Sequence, residues 1–321
     1  MKITELENKH RAEYKTLSEK HGSVFSTLDW VSIYGKELKL YSILNDDGQL
    51  IGGFHLFIKT TKGITRIMNP PYTPTIGLFY ENAAQNKANR LSFDKDVMTE
   101  LVSFLKKIKN SVLMISLPDF VIDTQPFYWN GFKVVPNYTY KIDLSQSIEQ
   151  MNSDMASLKR TNLRKNTTDG IVVEKASDLK IVKKLILKTF DRKDKSVDIK
   201  LMDKILFEYA KPENSFAYIS YKGSEPIACS FCAHDNKTAY YLFGGYDSAN
   251  KHRGAGPGAM WASVTEAKNR GMKYFDFEGS MIPEVEKYFR GFGGDLTPYY
   301  TINKAKLPVE MLLKLNRRNR F

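Results

Sequence analysis

The sequence predicts an α/β (α+β) chain of two tandem domains, each a mixed, mostly antiparallel sheet flanked by helices. Length comes first: 321 residues make about two domains. The chain also repeats itself. Phe127-Tyr128-Trp129-Asn130-Gly131-Phe132, followed by Tyr138-Thr139-Tyr140-Lys141-Ile142, returns as Lys287-Tyr288-Phe289-Arg290-Gly291-Phe292 and Pro298-Tyr299-Tyr300-Thr301-Ile302. An offset of 160 brings Tyr128 onto Tyr288, Gly131 onto Gly291, Phe132 onto Phe292 and Ile142 onto Ile302. Upstream, Gly48-Gln49-Leu50-Ile51-Gly52-Gly53 is answered by Gly223-Ser224-Glu225-Pro226-Ile227-Ala228-Cys229. At so long a period the repeated unit is a whole domain. Finally, strand and helix periods follow one another in the same order in both halves.

In the first half, Lys2 to Lys20 reads as a charged helix ended by His21-Gly22. Leu38 to Leu44 and Leu50 to Lys59 are strands around the turn Asn45-Asp46-Asp47-Gly48, and Ile64 to Met68 is a third. The prolines of Asn69-Pro70-Pro71-Tyr72-Thr73-Pro74 remove ladder donors and make it a loop. Phe93 to Lys109 carries a helical period, and Ser111 to Leu117 is a buried strand. In the second half, Ile148 to Lys165 and Leu179 to Phe190 are helices, and Ser215 to Tyr221, Pro226 to His234 and Ala239 to Tyr246 form a meander. Pro257 to Arg270 is a helix, Lys273 to Glu278 a strand and Pro308 to Arg318 a basic amphipathic helix. The expected boundaries are 1–143, 144–302 and a tail at 303–321; the tail suits docking on the second domain with its charges outward, or lying on an anionic membrane, and its short apolar stripe favours docking.

Composition excludes several classes. Hydrophobic residues at 42% and aromatics at 12% rule out disorder. No apolar run reaches a membrane span and no signal segment is visible, so a cytoplasmic protein is expected. Cys229 and Cys232 stand in a strand-like stretch, the two thiols on opposite faces, and read as buried reduced residues. The five histidines show no ligand spacing, so no metal is expected.

The net charge of +12 is concentrated. Lys159 to Lys200 holds 13 Lys and Arg against 6 Asp and Glu, and Asn303 to Phe321 holds 6 against one. Such segments attract polyanions such as RNA, nucleotide phosphates or an anionic membrane face, or form a solvated face. Arg160 and Arg164 are one helical turn apart; with Lys159 they are a candidate polyanion-binding face.

Three further segments carry chemistry. Lys251-His252-Arg253-Gly254-Ala255-Gly256-Pro257-Gly258 joins a strand to a helix, where glycine N–H groups and the helix N-terminus favour an anion. Gly244-Gly245 tolerates a bulge or simply ends a strand. Asp276 and Glu278, two apart, share a strand face beside that loop and are candidate bases or loop caps.

The late segment Tyr288-Phe289-Arg290-Gly291-Phe292 and the order of elements resemble the GNAT acyltransferase fold. Two such units resemble the FemABX family, which transfers aminoacyl groups from charged tRNA to peptidoglycan precursors. Gly131-Phe132 through Leu144, Lys159 to Lys165, Gly170-Ile171-Val172-Val173 and Asp276-Phe277-Glu278-Gly279-Ser280 also carry the likeness. The chain departs from the family in having Tyr288-Phe289 where Phe-Lys is common, and in lacking a helical-hairpin insertion.

The resemblance implies an acyltransferase acting on an amine of a cell-envelope precursor or small metabolite. Acyl-CoA or aminoacyl-tRNA would be the co-substrate, with nothing tightly bound. It further implies that Arg253, Gly254, Gly256 and Gly258 hold the donor, that Gly244-Gly245 exposes an N–H to the acyl carbonyl, and that Glu278 or Asp276 takes the amine proton. Arg290 contacts a phosphate or carboxylate, or a surface partner. Trp30 and Tyr72, with the proline loop, would wall the acceptor or simply pack. The alternative is a degenerate, non-catalytic GNAT-fold protein binding RNA or another polyanion.

Overall fold

The computed structural model describes residues 1–192, 197–316 and 320. These form two compact units, one of Met1–Asn137 with Pro298–Phe321, the other of Tyr138–Thr297.

In the first half of the chain, β1 (Lys2–Glu5) leads into α1 (Arg11–His21) and α2 (Leu28–Ser32). Then come β2 (Leu38–Leu44), β3 (Leu50–Thr61), β4 (Ile64–Met68) and the short β5 (Phe79–Tyr80). After them run α3 (Lys87–Lys107), β6 (Val112–Ser116), α4 (Gln125–Trp129) and β7 (Lys133–Asp143). The β2–β3 turn closes as expected, with Gly48 at φ 78 and Asn45 Oδ1 accepting the Gln49 N–H at 2.9 Å. One face of α3, built from Val97, Met98, Leu101, Val102 and Leu105, packs onto Phe54, Leu56, Leu113 and Ile115. β4 and β6 run parallel, as a crossover helix requires.

The second half of the chain repeats the plan. α5 (Ile148–Asp154) and α6 (Ser157–Thr168) precede β8 (Ile171–Lys175), α7 (Leu179–Arg192) and α8 (Ile199–Asp203), which runs on as a π-helical turn, Lys204–Tyr209. The meander β9 (Ser215–Lys222), β10 (Glu225–His234) and β11 (Thr238–Tyr246) follows. Next stand α9 (Ala255–Asn269), β12 (Tyr274–Asp276), α10 (Pro283–Arg290), β13 (Asp295–Ala305) and α11 (Leu307–Asn316). Met260, Val264 and Ala267 of α9 cover Phe275, Phe277 and Phe292. Cys229 reaches toward α7 and Cys232 packs with α9, so the two thiols do lie on opposite faces; both are buried.

The expected boundaries need correcting. Within the first unit the strand order is β1-β2-β3-β4-β6-β13, and within the second it is β7-β12-β11-β10-β9-β8. Each unit thus takes one strand from the other repeat. The register keeps the 160-residue offset: Thr301 pairs Ser116 and Ile302 pairs Ile115, while Lys141 pairs Asp276 and Ile142 pairs Phe275. A repeat shows which strands are alike, not which copy occupies which edge.

Three elements also differ. Lys2–Glu5 is an edge strand on β2, because Ile3 is buried there while its charged neighbours stay outside. The helix expected over Ile148 to Lys165 breaks at Met155-Ala156, where the Arg160 guanidinium donates to the Ser153 and Met155 carbonyls and caps α5. The tail follows β13 into the first unit rather than docking on the second. Arg317 and Arg318 lie outside the described residues.

Candidate functional site

β11 and β12 are paired only through Thr238–Tyr240 and Tyr274–Asp276. From Tyr241 onward, β11 has no described partner on that side, although β10 follows it to Tyr246. Where the strands part lies a cavity of about 520 Å³. Its walls come from the end of β11 (Tyr241, Gly244, Gly245), the start of α9 (Arg253, Gly256) and the inner face of α10 (Glu284, Tyr288, Phe289).

The glycines divide into two kinds. A Cβ on Gly254 would collide with Asn162 O and Asn166 Oδ1, and one on Gly258 with Asn166 Nδ2. Both let α6 approach α9, and Asn166 Nδ2 donates to Gly254 O at 2.9 Å. These two thus pack helices rather than face a ligand. Gly256 faces the cavity, the nearest atom to its missing Cβ being Tyr288 Oη at 3.4 Å. The Ala255 N–H is bonded to His252 O and Pro257 has none, so in the first turn of α9 the anion donor is Gly256 N–H, with the exposed Arg253 beside it.

Gly245 backs onto α7, its missing Cβ lying 2.5 Å from Leu185 C, whereas Gly244 gives room to the Tyr241 hydroxyl. The register shift falls between Phe231 and Cys232, opposite Leu242, two residues before the glycine pair. Burial pushes the Tyr241 and Tyr288 phenols well above their ordinary range and keeps both protonated.

Several expected site residues lie elsewhere. Asp276 is buried, accepts from Thr139 Oγ1 at 2.6 Å and from the Glu278 N–H at 2.8 Å, and pairs with Lys141 Nζ at 3.4 Å. It ties β12 to β7 and is absent from the cavity wall. The strand stops at Asp276, so alternation does not carry to Glu278, which is held at φ 61 and does not line the cavity. Arg290 is exposed and pairs with Glu286 at 2.9 Å, the surface alternative.

The expected basic face is broken up. Lys159 is buried, its Nζ 3.7 Å from the Tyr288 ring centre and 4.2 Å from that of Phe292, and burial pulls its amine down to about 8. Arg160 is spent on α5, and Arg164 alone of the three is exposed. In the first unit Trp30 is fully buried, its Nε1–H donating to Thr73 Oγ1 at 2.9 Å. Tyr34 Oη donates to Pro71 O at 2.7 Å. Tyr72, at φ 60, sits on a loop that packs onto its own core.

Sequence reasoning missed Tyr241 and Glu284. Tyr241 could have been singled out because it alternates with Tyr240 just ahead of a glycine pair; Glu284 carries no signal beyond its place in the first turn of α10.

With this geometry in place, residues 198–290 match the Acetyltransferase (GNAT) domain family. No curated protein sequence matches the chain. Among solved structures the chain is similar to FemX, with a TM-score of 0.65 at 12% identity over 98% of this chain and 99% of that one. It is also similar to the C-terminal domain of a putative lysylphosphatidylglycerol synthetase from Agrobacterium fabrum (0.60, 12%, 96% of each chain). A third is a tandem GNAT protein from the clavulanic acid biosynthesis pathway (0.56, 8%, 94% and 97%). In fold the chain matches FemX and a tandem GNAT protein over nearly its whole length.

Proposed function

We propose that the protein is an acyltransferase that holds its acyl donor in the cavity of the second unit and passes the acyl group to an amine. The observation that carries this reading is the parting of β11 from β12 beside the start of α9, around one cavity. An open strand edge offers backbone hydrogen bonds to an extended donor arm, and Arg253 with Gly256 N–H meets its phosphate. Apolar walls from Phe289 and Val285 suit the arm between them.

The chemistry then assigns roles. The amine nitrogen attacks the acyl carbonyl and loses its proton to Glu284, the carboxylate on the cavity wall. Tyr241, a donor at every working pH, meets the carbonyl oxygen as charge builds on it. Tyr288, held protonated by burial, hydrogen-bonds the departing sulfur or ribose oxygen as charge builds on it, and the proton taken from the amine passes to that leaving group. Acyl-CoA is the donor this arrangement favours. Of the candidate polyanion face, Lys159 and Arg160 are engaged within the fold, and at the cavity one guanidinium with one N–H suits a compact pyrophosphate. The acceptor is an amine of a cell-envelope precursor or small metabolite, in keeping with FemX and the lipid-modifying neighbour.

Calorimetry with CoA, acetyl-CoA and uncharged tRNA tests the donor. Acetyl-CoA should bind in the micromolar range and lose about thirtyfold affinity in Arg253→Ala. Tight tRNA binding without CoA binding would move the donor to aminoacyl-tRNA, and no binding of either would sink the transferase reading.

A further inference from the structure

α11 presents its apolar side to solvent. Leu307, Met311, Leu312 and Leu315 are 76%, 64%, 64% and 82% exposed. At roughly 100° per residue they fall, with Pro308, within about 140° of arc. Val309 and Leu313 take the opposite side and are half-buried, while Lys314 pairs with Glu310 at 2.7 Å on the flank. A surface helix in water has the reverse arrangement, polar outside and apolar inside.

A second feature adjoins it. Lys306, the residue before α11, rims a cavity of about 430 Å³ together with Lys106, Lys107, Lys109 and Lys304. Lys304 stands 4.4 Å over the Phe132 ring and donates to Asn130 O at 2.9 Å; Lys106 donates to Asn130 Oδ1 at 3.0 Å. Among the described residues none of the five is ion-paired, and Glu310 is the acid whose charge reaches Lys304. In the sequence, Arg317 and Arg318 add two more cations just beyond α11.

We propose that this end of the first unit docks on an anionic membrane surface, with Leu307, Met311, Leu312 and Leu315 among the acyl chains and the lysines on lipid phosphates. Charge chooses the occupant. A second copy seated on this face would bring two sets of five unpaired lysines together, whereas an anionic leaflet neutralises them. Ten residues span about 15 Å as a helix, half the hydrocarbon thickness, so α11 lies in the interface. Insertion plus charge supplies the two signals that stable attachment needs. The inference does not depend on the acyltransferase reading.

Vesicle flotation of the full-length protein tests it, comparing pure phosphatidylcholine with phosphatidylcholine and phosphatidylglycerol at 7:3. Binding should be at least about tenfold stronger to the anionic vesicles and fall with salt. Met311→Glu with Leu315→Glu, and separately Lys106→Glu with Lys109→Glu, should each lower it about tenfold with the thermal midpoint unchanged. Equal flotation with both vesicles, no flotation, or variants that float like the parent would overturn the proposal. A dimer in sedimentation velocity that Met311→Glu with Leu315→Glu dissolves, without flotation by the parent, would assign the face to a second copy instead.

Discussion

Ser116 and Asp276 are offset twins, the last residues of β6 and β12, yet the chain treats the space beside them in opposite ways. Beyond Ser116 the first unit stays closed. Asn69 Oδ1 accepts the Ser116 N–H at 2.9 Å, Ile76 N–H donates to Ser116 O at 3.0 Å, and His55 N–H donates to Ile76 O at 2.9 Å. The chain thus leaves β4 at Met68, loops through the prolines and re-enters the gap as β5. Beyond Asp276 no such segment returns among the described residues, and the cavity opens there. The helix starts differ in the same sense. α3 is capped by its own Asn86, Oδ1 to Asn89 N–H at 2.8 Å, whereas α9 begins at a bare Gly254. One fold can leave this slot open or plug it with its own chain, and the difference lies in a few loop residues.

The comparison can be broken, beginning with the largest expected effect. Gly254→Val drives a side chain into Asn162 and Asn166 and should cost about 3 kcal/mol in urea unfolding; a loss below about 0.5 kcal/mol would show that α6 is free to move. Asn69→Ala strands the Ser116 N–H and should cost about 2 kcal/mol without touching donor affinity. Any change in acetyl-CoA binding there would mean the first unit takes part in holding the donor. Gly256→Val enters open space 3.4 Å from Tyr288 Oη, so it should weaken acetyl-CoA about tenfold in calorimetry while leaving stability within about 1 kcal/mol.

The smallest effect concerns Lys159. Its folded value lies below the unfolded one, so between about 8 and 10.5 the unfolded chain binds more protons and stability rises with pH. Measured as parent minus Lys159→Met, the difference should rise by about 1–3 kcal/mol over that window, and a flat difference would mean the amine is solvated.

Much of the fold was legible. β4 and the meander were readable because alternating apolar residues, turn glycines and helical periods are local signals. The site was legible only in part. Arg253 and Gly256 could be placed because loop, strand and helix are consecutive in sequence. Gly254 and Gly258 look the same in sequence but serve Asn166, a residue about 90 positions away that no spacing reveals. Lys159 and Arg160 read as surface charge because composition does not tell a solvated cation from one laid on aromatic rings or backbone carbonyls. Asp276 and Glu278 were assigned to one face by an alternation that ended a residue too soon.

The exchanged closing strands have a consequence for synthesis on the ribosome. β6 emerges with its neighbours but waits for β13, more than 160 residues later, which at ordinary elongation speeds is roughly ten to thirty seconds. During that interval its edge is exposed, and β7 is already available in the matching register. Lys141 and Ile142 are the twins of Thr301 and Ile302 by the 160-residue offset. A fragment that ends before β13 therefore leaves the β6 edge without its native partner, the kind of open edge that invites pairing with another strand.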